Sequence, residues 1–462
     1  MKYRNHKKIL INKVYLNLTM SKKFRDSLFI LFILFFLIGT ILISLYASGY
    51  EISLTWPPKS NRLLIKTGMI IVDSSPSEAN IFLNGRQTTN FSLNPWDVSY
   101  LSTPAKIRSV TPGEYDLRLE RPGYWPLTKH VRVYPGQTNF LEDLNLFRNN
   151  LPLLITSTPE GTLTLSPNHR YLYASSEQKI ITLNNGLVNS LTTTSSAPAT
   201  WLNNTDELLQ DGKLLSPINS AIKDYQKLIG TEAANWYYDE NNNRLYYQNA
   251  NSLGYLDTNQ KNGTLVLSGD TYLTYEARDD QLFVVTKDQG KTILRKYSLA
   301  QRQLEQEINL PSVGSYKFVS AGYHFLTLYD EQNQTLYLIN PADINNKIVT
   351  LNKVVSWNWI DDNTLLYNNN WEIYRLDMDL NANILITRVG EAISSLAWNS
   401  KKNYLIFSTT KSLNALDLVT GNITKIFQTE KISSPVLNEK SDMLYFWAKV
   451  GQQEGIYSLL LQ

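Results

Sequence analysis

Residues 359–377 read WIDDNTLLYNNNWEIYRLD, and residues 398–417 read WNSKKNYLIFSTTKSLNALD. Both stretches open on a tryptophan, pass through a polar turn into a hydrophobic strand, and end in a second strand that finishes at Leu-Asp. From about residue 160 to the C-terminus, this pattern recurs roughly every 35 to 43 residues. Repeats of about 40 residues that are built from four strands are typical of a β-propeller. The sequence therefore predicts one closed all-β body over most of the chain.

The repeat can be aligned eight times across residues 151–462. One aligned residue opens each copy, namely Leu165, Trp201, Trp236, Tyr275, Phe318, Trp359, Trp398 and Val436. The last copy has room for only three strands, and residues 151–157 have no partner of their own. We expect that segment to supply the missing outer strand and to close the ring, which removes the open sheet edges. The prediction is an eight-bladed propeller, with seven blades as the alternative because the copy at residues 201–229 is degenerate.

A charged tail and an apolar run begin the chain. Residues 1–27 carry eight cations against one acid, so about −4 remains for the rest of a chain whose net charge is +3. This distribution argues against nucleic acid as a partner of the folded part. The uncharged stretch 28–46 is long enough to cross a membrane, and the cations before it predict a cytoplasmic tail at 1–27 and extracytoplasmic domains. We interpret residues 28–48 as an uncleaved transmembrane signal anchor, with a cleaved signal peptide as the alternative.

Residues 49–67 contain Trp56-Pro57-Pro58 and are interpreted as a linker, since Pro-Pro favours extended backbone. Short β-strands and turns follow over residues 68–148. Their signposts, in chain order, are Pro76-Ser77-Glu78-Ala79, Asn84-Gly85, Thr103-Pro104, Pro112-Gly113, Tyr115-x-Leu117-x-Leu119 and Gly123-Tyr124. The Asn-Gly pair between apolar strands is a strong hairpin signal.

This segment resembles a PEGA domain, a small β-sandwich-like module that is common in bacterial surface proteins. Two departures are visible: Glu78 stands where the motif has Gly, and the stretch 86–102 is longer than usual. The resemblance implies a binding or spacer module without catalytic residues. The repeats themselves resemble the WD-like units of Tol-associated periplasmic propellers, through Ser166-Pro167-Asn168-His169-Arg170 and its relative at residues 398–402. That second resemblance implies only the propeller architecture.

Tryptophans are the candidate contact residues. Trp201, Trp236, Trp359 and Trp398 share one repeat position, which favours packing between blades over sugar binding. Trp56, Trp96 and Trp125 lie outside the repeat and are the predicted contacts with a partner.

No chemistry of catalysis or metal binding is evident in the sequence. The chain has no cysteine and four histidines without metal-ligand spacing. The acidic pairs Asp239-Glu240, Asp279-Asp280 and Asp361-Asp362 follow first strands, lack the spacing of a calcium loop and are interpreted as solvated turns. No Gly-x-Ser-x-Gly, His-Glu-x-x-His or phosphate-loop motif occurs. We expect no enzyme activity, no cofactor and no catalytic or metal-binding residues.

The predicted function is display. A single-pass membrane protein of a bacterial envelope would hold a propeller outside the membrane, where it binds a protein or a cell-wall glycan through its loops. The sequence leaves two alternatives open. One is a small-ligand sensor or enzyme that uses the central channel, and the other is a purely structural cell-surface spacer.

Overall fold

The computed structural model describes residues 21–52, 64–90, 99–191, 195, 197–218, 221–229, 232–319, 324–345, 348–398 and 402–462. These residues divide into two compact units. The first contains the described part of 21–72 together with 106–115 and 131–141, and the second contains 73–105, 116–130 and 142–462.

The first unit begins with a long apolar helix, α1 (Lys22–Ala47). It starts within the basic segment rather than at residue 28, and at 1.5 Å per residue its 26 residues extend about 39 Å. That length exceeds the ~30 Å hydrocarbon core of a bilayer. None of its side chains is buried. A helix that exposes so much apolar surface is compatible with a single-pass membrane anchor, and equally with a signal peptide.

The predicted linker contains a short antiparallel pair of strands, β1 (Tyr50–Ile52) and β2 (Leu64–Lys66). Immediately after β2, the backbone N–H and the hydroxyl of Thr67 both donate to the carbonyl oxygen of Gly49, each at 2.8 Å. The two ends of this segment are therefore held together at the end of the helix. Trp56-Pro57-Pro58 lies outside the described residues.

Two small sheets follow. One has the strand order β6-β3-β9 and the other the order β5-β4-β7-β8. Their strands are β3 (Gly68–Ser75), β4 (Asn80–Leu83), β5 (Arg86–Gln87), β6 (Ala105–Val110), β7 (Gly113–Glu120), β8 (Leu127–Val133) and β9 (Thr138–Asn145). Buried residues alternate along β3 and β8, as expected where one face of a strand meets an apolar core.

Two turns of this module have informative sequences, at Asn84-Gly85 and at Glu78. Asn84 and Gly85 both have positive φ and join β4 to β5, which confirms the predicted hairpin. Glu78 also has a positive φ, 65°, a conformation that favours glycine. The backbone thus takes a glycine-type conformation even though the residue is glutamate.

The repeat region forms eight four-stranded antiparallel sheets within the described residues. The strands are, in sheet I, β11 (Leu163–Leu165), β12 (Tyr171–Ala174), β13 (Lys179–Thr182) and β14 (Leu187–Ser190); in sheet II, β15 (Thr200–Trp201), β16 (Leu208–Gln210), β17 (Lys213–Leu215) and β18 (Ile222–Asp224); in sheet III, β19 (Ala234–Asp239), β20 (Arg244–Asn249), β21 (Ser252–Asp257) and β22 (Asn262–Ser268); in sheet IV, β23 (Thr271–Arg278), β24 (Gln281–Asp288), β25 (Lys291–Ser298) and β26 (Gln303–Leu310); in sheet V, β27 (Tyr316–Phe318), β28 (Leu326–Asp330), β29 (Thr335–Ile339) and β30 (Ile348–Leu351); in sheet VI, β31 (Ser356–Trp359), β32 (Thr364–Asn368), β33 (Glu372–Asp377) and β34 (Ala382–Arg388); in sheet VII, β35 (Ile393–Trp398), β36 (Tyr404–Thr409), β37 (Ser412–Asp417) and β38 (Ile423–Gln428); and in sheet VIII, β39 (Lys431–Leu437), β40 (Met443–Val450), β41 (Gln453–Leu460) and β10 (Leu153–Ser157). A one-turn helix, α2 (Gln226–Ile229), follows sheet II.

Sheet VIII contains the strand that closes the ring. β10 precedes sheet I in the chain, yet it pairs with β41, so that Leu153 lies opposite Ser458 and Ser157 opposite Gly455. The prediction that residues 151–157 supply the missing outer strand is confirmed.

An apolar cluster joins each sheet to the next. The cluster between sheets VIII and I contains Trp447 and Ile456 from one side and Leu172 and Ala174 from the other. Similar clusters connect I to II, II to III, and so on to VII and VIII. The sheets therefore pack in a closed ring, which is the architecture of a β-propeller.

The end of the small module is fixed to sheets VII and VIII within the second unit. Phe147 is buried and its ring meets the edge of Tyr404, with 5.0 Å between centroids and 89° between planes. The side-chain amide of Asn145 donates to Asp417 at 3.1 Å, and the backbone N–H of Arg148 donates to the carbonyl of Leu461 at 2.8 Å. Apolar packing and hydrogen bonds thus act together at this junction.

Ring closure can be tested at Gly455, because a Cβ there would overlap the carbonyl oxygen of Thr156 in β10. We expect Gly455→Ala to cost about 1–3 kcal/mol through overpacking. Hydrogen exchange of the amides of β10 should accelerate. The control is Gly390→Ala, where no atom lies within 4 Å of the added methyl group. Unchanged exchange in β10 would contradict the closure.

The junction can be tested at Phe147. We expect Phe147→Ala to lower the free energy of unfolding by about 3–5 kcal/mol, because it leaves a cavity against Tyr404. Phe140→Ala is the matched control in the same module, since Phe140 is 64% exposed. Thermal unfolding of the two variants should differ by several degrees, and equal midpoints would show that the junction contributes little.

Candidate functional site

The structure describes one of the three predicted contact residues. Trp56 and Trp96 lie outside the described residues. Trp125 is half-buried, packs against the apolar cluster of sheets VII and VIII, and donates its backbone N–H to Phe147 at 2.8 Å. Trp125 therefore belongs to the junction between module and ring, and only part of its ring faces solvent.

The repeated tryptophans pack between sheets. The indole N–H of Trp201 donates to the carbonyl of Thr164 in sheet I at 3.2 Å, and that of Trp359 donates to the hydroxyl of Thr327 in sheet V at 3.2 Å. Trp398 contributes to the cluster between sheets VI and VII. Their interpretation as packing residues is confirmed.

The strand pairing corrects the predicted alignment at three openings. In sheets IV and VIII, Ala277 and Leu437, and not Tyr275 and Val436, lie at the position of Trp201.

The third of these openings is Trp236. Pairing with the second strand places Tyr238, not Trp236, at the position of Trp201 and Trp359. Trp236 lies two residues before Tyr238, beside a register shift in β19 between Ala234 and Tyr237. Trp236 still packs between sheets II and III, among residues of their shared cluster.

Loops of five successive sheets meet around a cavity of about 470 Å³ at one end of the ring. We call it the acidic cavity. Its lining includes five carboxylates and one guanidinium, and its loops come from sheets II to VI. Among the lining residues are Asn203, Glu240, Glu276, Asp279, His324 and Asp362. Most of these residues follow a first strand, so they lie at the same end of their sheets. Polar groups thus converge at equivalent places of the repeat.

Some of the carboxylates have structural roles. Asp239 is buried and accepts hydrogen bonds from the backbone N–H groups of Asn241 and Asn242, which fixes its own turn. Glu240 accepts from the backbone N–H groups of Asn203 and Asn204 in sheet II. These two acids stabilise the turns, so the interpretation of Asp239 as solvated is wrong.

The remaining acidic turn residues are on the surface. Asp279, Asp280, Asp361 and Asp362 are all exposed, as expected for solvated turns. Of these, Asp279 and Asp362 line the acidic cavity. The rim of the cavity therefore carries negative charge that is accessible to solvent.

Glu276 is the unusual member of the set. It lies on the first strand of sheet IV and is 1% exposed. One carboxylate oxygen accepts from Nη2 of Arg278 at 2.7 Å, whereas the other, Oε2, has no hydrogen-bond partner among the described residues. Nη1 of Arg278 donates to the carbonyl of His324 in sheet V at 2.8 Å, which fixes the guanidinium. A half-paired carboxylate therefore lies buried beside the cavity.

Burial raises the pKa of the Glu276 carboxyl above 4.5, and the nearby charge and hydrogen bond of Arg278 only partly oppose that rise. Desolvation disfavours the ionised form, so ionisation of Glu276 costs free energy in the folded chain. A buried charge of this kind is found more often at functional sites than in ordinary packing.

The pairing register shows that Glu276 departs from the repeat. Glu276 pairs with Phe283. The next residue, Ala277, lies at the register position that Trp201 occupies in sheet II. The residues at the same register position in six other sheets are uncharged, namely Thr164, Thr200, Tyr237, Asn358, Ala397 and Val436. Packing of the ring therefore does not require a carboxylate at this position.

Glu276 is not among the contact residues that the sequence predicts. The available signal was a charge between Tyr275 and Ala277, both buried, within a first strand. Among the described residues, no group of three His, Asp or Glu side chains is placed to hold a metal ion. The five carboxylates and one guanidinium of the acidic cavity give its lining an excess of acidic groups.

Comparison with protein families confirms the small module. Residues 67–145 match the model of the PEGA domain. No curated protein matches the chain.

Three solved structures show a partial likeness to this chain. A chain of the mitotic checkpoint complex is 11% identical with a TM-score of 0.38, and the match covers 68% of this chain and 93% of that one. The WD40 domain of Neurospora crassa Pan2 is 6% identical with a TM-score of 0.36, covering 65% and 88%. Oligogalacturonate lyase from Vibrio parahaemolyticus is 10% identical with a TM-score of 0.38, covering 66% and 92%.

The class of protein follows from the structure. Its closed ring of four-stranded sheets is a β-propeller, and an N-terminal apolar helix precedes it in the chain. This combination supports a membrane-anchored binding scaffold. The PEGA domain lies between the two in sequence.

The pH dependence of stability tests the state of Glu276. Because its pKa is raised, the folded protein holds this proton more tightly than the unfolded chain does. The resulting stabilisation is complete below pH 4.5 and is lost as pH rises through the raised pKa. We expect the free energy of unfolding of the wild type, relative to Glu276→Gln, to fall as the pH rises from 4.5 through the raised pKa. Denaturant titrations at several pH values measure this difference, and a rise with pH would contradict the assignment.

Proposed function

We propose that this protein is a non-enzymatic, single-pass membrane protein of a bacterial cell envelope, which displays its propeller outside the membrane to bind a protein or a cell-wall glycan. The observation that carries the proposal is the convergence of five sheets on the acidic cavity, beside a buried carboxylate that packing does not require. Loops on a rigid scaffold are the usual place for such binding sites. The cations of residues 1–27 support a cytoplasmic N-terminus.

Each part of the chain has a role in this proposal. Helix α1 anchors the protein, and the PEGA domain sets the distance to the propeller. The exposed acids Asp279 and Asp362 attract a partner with complementary positive charge, which raises the rate of association and selects against acidic partners. The end of the ring that carries the acidic cavity is the binding face.

The test is retention of envelope proteins by the full chain in detergent, in parallel with binding to isolated cell-wall polysaccharide. Asp362→Lys reverses one charge on the proposed binding face. We expect it to reduce the retained partner at least fivefold, because the change adds repulsion where attraction is proposed.

Glu331→Lys is the matched control. Glu331 is exposed and lies in the turn between β28 and β29, at the opposite end of its sheet. The control should retain the partner as the wild type does. Equal loss with both variants would mean that net charge, and not this face, determines retention. Silence in both assays would count against the scaffold proposal.

A second candidate function is a sensor for a small ligand. The convergence of polar residues at equivalent repeat positions favours it, since a cavity of about 470 Å³ lies in the range of small-molecule sites. A purely structural spacer is the third possibility. In that case both Asp362→Lys and removal of Glu276 would leave every binding assay unchanged.

A further inference from the structure

The starting point is the incomplete pairing of Glu276. Its Oε1 is occupied by Arg278, and its Oε2 is buried without a partner among the described residues. Leaving half of a buried carboxylate unpaired is unfavourable, because the charge has lost water without gaining a full set of hydrogen bonds. A proton or a second cation would compensate for it. The adjoining acidic cavity provides the route by which a cation reaches it.

We infer that the acidic cavity binds a primary ammonium group on a flexible chain, of the kind that ends a lysine side chain. This inference rests on the proposed function, in which the same end of the ring is the binding face. It adds the chemical class of the group that enters.

The number of free acceptor oxygens distinguishes an ammonium from a guanidinium. A guanidinium binds a carboxylate best through two parallel hydrogen bonds. Arg278 already takes one oxygen of Glu276, which leaves one for a ligand. An ammonium is a compact point charge whose three donors need not lie in a plane. It can contact this single oxygen and direct its other donors elsewhere.

The remaining donors of the ammonium require acceptors at the rim. Asp239 and Glu240 already accept hydrogen bonds from turn amides. Asp279 and Asp362 are exposed and line the same cavity. They are the acids available to neutralise the incoming charge. Glu276 lines the cavity but its Oε2 is buried, so contact with an ammonium requires a rotation of the carboxylate that makes Oε2 accessible.

The absence of charge at this position in the other sheets strengthens the inference. Thr200, Tyr237 and Asn358 occupy it in sheets II, III and VI and keep the same strand pairing. The carboxylate of Glu276 is therefore not part of the repeated sequence pattern. Such an addition at the edge of a cavity is expected where a cation is recognised.

The experiment is calorimetric titration of the full chain in nanodiscs with Nα-acetyl-lysine methylamide. The arginine and norleucine counterparts serve as the guanidinium and neutral probes. We expect the lysine probe to bind and the norleucine probe not to bind. Glu276→Gln should weaken the lysine probe at least tenfold. Asp361→Asn removes an equal charge from an acid that does not line the cavity, and it should change affinity less than twofold.

Several results would overturn the inference. They are no binding of the lysine probe by the wild type, equal binding of the arginine probe, or unchanged affinity in a folded Glu276→Gln variant. Thermal unfolding of each variant verifies folding. If Glu276→Gln does not fold, Asp362→Asn is titrated instead, and an affinity equal to that of wild type overturns the inference.

Two further arms identify the source of the ammonium. Cadaverine presents it on a free diamine, and a lysine-containing peptide presents it on a protein chain. Tighter binding of either one supports the inference and identifies the source. If neither binds while an envelope protein is still retained by the wild type, the assignment of an ammonium ligand is wrong and the scaffold function stands. If the probes bind and no macromolecule is retained, the ammonium stands and the scaffold function fails.

Discussion

The pairing of β10 with β41 is the constraint on which the propeller depends. Without it, sheet VIII would have three strands and an open edge of unpaired backbone groups, which invites pairing with other chains. The strand that completes the last sheet comes from before the first sheet, so closure joins residues about three hundred positions apart. Contacts of such long range are slow to form, because loop entropy must be lost before they stabilise the chain. The apolar cluster between sheets VIII and I supplies the stabilisation that makes this closure favourable.

Much of the ring could be predicted because its strands follow a repeated pattern. Polar turns and runs such as Leu365-Leu366-Tyr367 mark the second strands, and the structure places this run in β32. Trp236 was misaligned because a tryptophan was matched to a tryptophan, although Trp236 lies nine residues before Leu245 and Trp201 lies seven residues before Leu208. The β1–β2 pair was also missed. Strands of three residues are too short to show the alternation that reveals longer ones.

The acidic turns show why the candidate site was harder to predict than the fold. Asp239, Glu240, Asp279 and Asp362 all lie at or after the end of a first strand and line the same cavity. Nothing in the sequence separates the acids that fix a turn from those that are exposed at the rim. The distinction depends on which backbone N–H groups lie nearby, and this is set by the neighbouring sheet. Glu276 was visible as a charge in an apolar strand. Only the pairing register shows that the equivalent strands have no carboxylate at this position.

The junction at residues 145–148 has a mechanical consequence. The chain passes from the PEGA domain to β10 through this segment, so any tension between an anchored N-terminus and a bound partner must travel along it. Asn145 is bonded to Asp417, and Arg148 to Leu461, before the chain reaches Leu153. Load would therefore be shared with sheets VII and VIII before it reached the closing strand. In a propeller attached in this way, a pulling force would act on sheets VII and VIII before it could separate β10 from β41.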